Sequence, residues 1–175
     1  MIEAVDYYGP RSGIAETPIC FLDFDGVLHP DAAFKVAGRG IQLLAEGHQL
    51  FEWAGILEEL LFPYPKIKIV LSTSWVPMRS FKYARSCLPS GLQSRVIGAT
   101  YHSRAISRHE FALFTRGEQV RQYVVRHCLT RWCAIDDDCE GWPEHYLSRF
   151  VQTEDSTGIS HEAVQNRLRE IFASL

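Results

Sequence analysis

Ile19-Cys-Phe-Leu22 is an apolar run that stops abruptly at Asp23-Phe24-Asp25-Gly26, and no other stretch constrains the chain as much. In a strand, side chains at i and i+2 share a face, so Asp23 and Asp25 aim at one point beyond its carboxyl end. Gly26 has no Cβ to oppose a turn at positive φ. A strand that is apolar on both faces belongs in a parallel sheet covered by helices. Open α/β sheets bind ligands at the carboxyl ends of their strands. Taken alone, Asp-x-Asp-Gly also suits a plain turn, so the other strands have to decide.

Four further strands are expected. Lys66–Leu71 ends in Ser72-Thr73-Ser74, and Arg95–Gly98 is short. Arg131–Ile135 runs straight into Asp136-Asp137-Asp138, and Phe150–Thr153 completes the set. Apolar residues at helical spacing predict helices over Ala54–Phe62, from Pro77 toward Leu88, and over Gly117–Cys128. A last helix carries Val164, Leu168 and Ile171, with Ser160 as its expected N-cap. Pro89-Ser90-Gly91 reads as a break and residues 101–115 as a long loop. Gly40–Leu44 and Gln49–Trp53 read as the arms of a hairpin around Ala45–His48. That hairpin either closes over a substrate or covers apolar surface. Strands alternating with helices imply crossovers and a mostly parallel, three-layer α/β/α sandwich. Residues 1–18, broken by Gly9-Pro10, Gly13 and Pro18, read as irregular. Residues 19–175 read as one domain, with residues 30–65 as a flap or minimal cap and no room for a large cap domain.

A length of 175 residues suits a single core. A formal charge of −3 gives no global argument for nucleic-acid binding. The first eighteen residues include Glu3, Asp6 and Glu16 and lack the apolar segment of a signal peptide. No run is long enough to span a membrane. The five cysteines contain no C-x-x-C pair, which points to reduced thiols in the cytoplasm and away from structural zinc.

Three strand ends thus carry polar groups: Asp23 and Asp25, Ser72 and Thr73, and Asp136 to Asp138. Each alone suits a turn or cap, but in a parallel sheet all three share one edge. In this order the segments LDFDGVLHP, LSTSW and AIDDD resemble the motifs of the haloacid dehalogenase-like (HAD) superfamily. With IGAT, they are similar to a bacterial subgroup related to the phosphatase domains of RNA-repair proteins. The resemblance implies a Rossmann-like HAD fold and a Mg²⁺-dependent phosphatase. It implies Asp23 as nucleophile, through an aspartyl-phosphate, and Asp25 as general acid and then base. Ser72, with the backbone N–H groups of Phe24 and Thr73, would hold phosphate oxygens. Arg116 would supply the fixed positive charge, although Arg104 and Arg108 also compete for that motif. Asp23, the Asp25 backbone carbonyl, Asp136 and Asp137 would ligate Mg²⁺, with Asp136 favoured over Asp137 for direct contact. The acid at Asp25 implies phosphate-ester chemistry, since dehalogenases of the superfamily lack it.

Substrate is less legible. From Arg79 to Arg131 there are ten Lys and Arg against Glu110 and Glu118, which makes either a basic rim for a nucleic-acid end or an ordinary solvated surface. Trp53, Trp75, Tyr101 and Trp142 are candidates to stack a base or to fill the core. The expected partner is a phosphorylated small molecule or a nucleic-acid end. The rival reading is a HAD-derived module that binds a phosphorylated ligand or a protein without chemistry.

Overall fold

The computed structural model describes residues 14–175. Most of the expected irregular segment, residues 1–13, lies outside the described residues. β1 (Ile19–Leu22) is the central strand of a five-stranded parallel sheet. β4 (Lys68–Leu71) and β6 (Trp132–Asp136) flank it, and β5 (Val96–Ala99) and β7 (Phe150–Gln152) form the edges, in the order β5-β4-β1-β6-β7. Alternate residues of β1 serve different layers, as the two-residue period requires. Ile19 and Phe21 pack with Val120, Tyr123 and Val124 of α6 (Arg116–Arg126). Cys20 and Leu22 face Leu57 and Leu61 of α1 (Ala54–Leu61) and Leu168 and Phe172 of α7 (Glu162–Ser174). All four β1 side chains are fully buried; burying a large apolar one is worth about 1.5–3 kcal/mol. The three-layer α/β/α architecture with a mostly parallel sheet is the one expected.

The hairpin is not where the periodicity placed it. β2 (Ala33–Val36) pairs antiparallel with β3 (Gly40–Leu43), so Gly40–Leu43 is the second arm and not the first. The turn between them uses Gly38 and Gly40 at φ of 73° and 79°, a region costly for residues with a Cβ. Gln49–Trp53 forms turns that lead into α1, with no strand.

The expected helix from Pro77 to Leu88 is two pieces, α2 (Trp75–Met78) and α3 (Phe81–Ser86). The break lies at Ser80, whose side chain caps α3 by accepting from the Tyr83 N–H. α4 (Ser90–Arg95) starts at the expected breaker, because Pro89 ends one helix and precedes the next. Within the expected loop, Ser107 and Glu110 form a capping box on α5 (Arg108–Phe111). The side chain that caps α7 is His161 rather than Ser160.

Arg95 ties α1 to the sheet. Its guanidinium donates to the carbonyls of Leu61, Tyr64 and Ile67, at 2.9, 2.8 and 3.1 Å. The Leu61 and Tyr64 carbonyls also accept from the Tyr64 and Ile67 N–H groups, at 2.9 and 3.2 Å, so the guanidinium takes up their second lone pairs with charge-assisted bonds. Arg95→Ala is therefore expected to cost about 2–3 kcal/mol of stability, read from the urea midpoint; a change under about 0.5 kcal/mol would show the staple to be idle.

Candidate active site

Register assembles the site. Leu22 pairs with Leu71 on one side and Ile135 on the other. The Ser72 N–H donates to the Leu22 carbonyl and the Asp23 N–H to that of Ile135. The next residues of the three strands, Asp23, Ser72 and Asp136, thus stand in one row at the carboxyl edge. They are 3%, 1% and 1% exposed. Carboxylate oxygens of Asp23, Asp136 and Asp137 lie within 4.8 Å of one another.

Asp137 reaches this group because residue 26 is glycine. Gly26 has φ of 66°, and a Cβ there would fall 2.3 Å from Asp137 Oδ2. Thr153 fixes both loops: its hydroxyl donates to the Gly26 carbonyl at 2.8 Å and its N–H to the Asp136 carbonyl at 3.0 Å.

Of the three candidate arginines, Arg116 lies against the carboxylates, whereas Arg104 and Arg108 are exposed. Its guanidinium is 3.6 Å from Asp23 Oδ2 and 3.1 Å from Asp136 Oδ2. The Nε–H points out of line with Asp136, so the contact is an ion pair and not a hydrogen bond. Thr115 and Glu118 form a capping box that starts α6 at this residue. Gly117 seats the helix on the loop after β6, its N–H donating to the Glu140 carbonyl. A Cβ on Gly117 would lie 2.3 Å from the Gly141 carbonyl oxygen. In an open helix Gly→Ala is stabilising by about 1 kcal/mol. Gly117→Ala is expected to destabilise by about 1–3 kcal/mol instead, as chemical denaturation would register; a gain in stability would mean that the close approach does not matter.

Charges are crowded here. Burial pushes the Asp23 carboxyl up to about 7, with Arg116 opposing and Asp25 and Asp137 adding to it. Burial and then Asp23 hold Asp136 well above the usual carboxylate range. Burial and Asp31 push Asp137 to about 6. Burial disfavours the Arg116 charge, but Asp23 and Asp136 outweigh it and keep the guanidinium protonated. Asp23 Oδ1 and the Ser72 hydroxyl are buried without a hydrogen-bond partner among the described residues, a costly state for polar atoms. Oxygen-only donors, excess negative charge and an unpaired carboxylate oxygen fit a hard divalent cation such as Mg²⁺.

The remaining expected residues are placed as follows. Thr73 is buried, its hydroxyl accepting from the Trp75 N–H at 3.3 Å. Phe24 is buried in the core, and its backbone N–H beside Asp23 works against the upward shift of that carboxyl. The Asp25 side chain stands apart from the three clustered carboxylates. Its Oδ1 is 3.1 Å from His29 Nε2, and its Oδ2 accepts from Trp75 Nε1 at 2.9 Å. Trp75 is thus no base-stacking platform: it is 1% exposed and its indole N–H serves Asp25. Trp142 is already stacked on Phe150, at 4.2 Å. His29 is the site residue that sequence reasoning passed over. Its signal was position, four residues after Asp25 within the same motif.

Among the described residues no helix is long and apolar enough to cross a membrane. No curated protein and no solved structure matches the chain. Residues 19–164 match the family model described as the HAD domain in Swiss Army Knife RNA repair proteins. That span takes in every strand of the sheet and each cluster of polar groups at its edge, and the chain accordingly belongs to this family of HAD domains.

Proposed function

We propose that the chain is a Mg²⁺-dependent phosphomonoester hydrolase working through Asp23. The supporting observation is the row of strand ends that brings Asp23, Ser72 and Asp136 together, with Asp137 and Arg116 against them. An Asp23 carboxylate oxygen attacks phosphorus in line; the new O–P bond forms as the bond to the leaving oxygen breaks. Asp25 donates a proton to that oxygen. It then takes a proton from the water that attacks the aspartyl-phosphate, which releases phosphate and restores Asp23. The Ser72 hydroxyl and the amides of Phe24 and Thr73 hold phosphate oxygens, and Arg116 offsets their charge. Mg²⁺, when held by Asp23, Asp136, Asp137 and the Asp25 carbonyl, supplies positive charge against the phosphate and the crowded carboxylates.

The substrate on this reading is a nucleotide or a phosphorylated nucleic-acid end, admitted to a site without a large cap. With its five cysteines as free thiols, we place the chain in a reducing, cytoplasmic compartment. The test is hydrolysis of p-nitrophenyl phosphate, mononucleotides and 3′- and 5′-phosphorylated oligonucleotides, with Mg²⁺ or with chelator. Magnesium-dependent turnover is expected. Full activity in excess chelator would remove the metal from the mechanism. Saturable binding across the panel with no turnover would replace the enzyme by a module that binds phosphorylated ligands.

A further inference from the structure

Asp25 is held from both sides. His29 Nδ1 accepts from the Phe51 backbone N–H at 3.4 Å, which leaves the ring proton on Nε2, facing Asp25 Oδ1 at 3.1 Å. The indole N–H of Trp75 donates to the other oxygen, Oδ2. The two rings belong to a box with Phe24 and Phe51, with centroid distances of 5.0–5.9 Å. Tyr83 stacks on the outer face of Trp75 at 6.3 Å. Phe51 is in the left-handed region, at φ of 61°, a conformation that costs a residue with a Cβ about 1–2 kcal/mol.

These features exceed what packing requires. The Asp25 side chain is 17% exposed and has water as an alternative partner, whereas His29 is fully buried. An apolar side chain would fill the His29 position without the cost of burying an imidazole. A strained backbone at a site is a sign that something there is being held in place. Two N–H donors from different directions stop the carboxylate plane from rotating and leave each oxygen a free lone pair.

We infer that His29 and Trp75 are positioning residues that fix the Asp25 carboxylate for proton transfer. The inference rests on the phosphatase reading above, with Asp25 as acid and base. A held acid matters most where the leaving oxygen is a poor leaving group, as in an alkyl phosphate, and least for an aryl phosphate. Misplacing a catalytic group by about 1 Å can cost about 10²-fold in rate.

The experiment compares kcat/KM for glycerol 2-phosphate and for p-nitrophenyl phosphate, which reports transfer to Asp23. Trp75→Phe and His29→Phe keep an aromatic ring in the box but lose the donor; His29→Gln keeps an N–H near Nε2. The alkyl-to-aryl ratio is expected to fall about 10- to 100-fold in both Phe variants and to recover in His29→Gln. An equal loss on both esters, or an unchanged ratio, would overturn the inference by making the box merely structural. Asp25→Asn is the control: if it leaves the ratio unchanged, the acid role itself has failed. Nitrogen-15 NMR of the histidines gives a readout free of activity, and His29 is expected as the Nε2–H tautomer. The Nδ1–H tautomer would overturn the clamp whatever the kinetics show.

Discussion

Asp23→Asn is expected to lower turnover by roughly 10⁴-fold or more with Mg²⁺ present, the scale of losing a nucleophile. The amide keeps the shape of the side chain but offers a far weaker attacking oxygen. The same substitution has the opposite effect on the metal-free fold. Asp23 is buried and faces Asp136 and Asp137, so an uncharged side chain relieves repulsion there. Above pH 7 the metal-free variant should therefore melt at a higher temperature than the parent. Loss of activity together with loss of stability would point to damage instead of chemistry. An active Asp23→Asn would end the nucleophile assignment.

Metal should stabilise the chain more at pH 8 than at pH 5. The Asp23 carboxyl moves from an ordinary 3.8 to about 7 on folding, and that of Asp137 to about 6. A carboxyl raised in this way holds its proton in the native state at pH values where the unfolded chain has lost it. Stability from these groups is then complete below about pH 4 and is lost as pH rises through their native values. At roughly 1.4 kcal/mol per pH unit, Asp23 alone amounts to on the order of 4 kcal/mol. A divalent cation competes with those protons, so it binds best where they are gone. Ligand at about a hundred times its Kd contributes roughly 2.7 kcal/mol, or about 5–10 °C for a chain of this size. Thermal unfolding with and without Mg²⁺ at pH 5 and pH 8 checks this. A larger Mg²⁺ shift at pH 5, or metal-free stability that climbs with pH, would sink the charge-crowding account.

The strand ends were legible because each is a local event: an apolar run meets a polar residue within one stretch of chain. Asp23, Ser72 and Asp136 align from the sequence alone, since parallel pairing brings such ends to one edge. Arg116 was the best fit in sequence, but Arg104 and Arg108 stayed open beside it; its closeness to the carboxylates depends on where α6 starts, which the Thr115 and Glu118 caps set. The hairpin misreading has a similar cause. Ala33–Val36 has no clear alternation, and the turn is set by positive φ at Gly38 and Gly40. The hold on Asp25 was out of reach because its second arm, Trp75, comes from fifty residues away.

The central place of β1 also bears on how the protein comes to be active. Ile19 pairs with Lys68 on one side and with Trp132 on the other, so β1 is completed by a strand more distant in sequence than β4. Closing such long loops is slow compared with forming helices. Asp23 and the Asp136-Asp137 pair stay apart in the unpaired chain until β6 docks beside β1. The electrostatic burden of the site is thus a cost of the β1–β6 pairing itself, and a divalent ion able to relieve it would favour that pairing as a folding ligand.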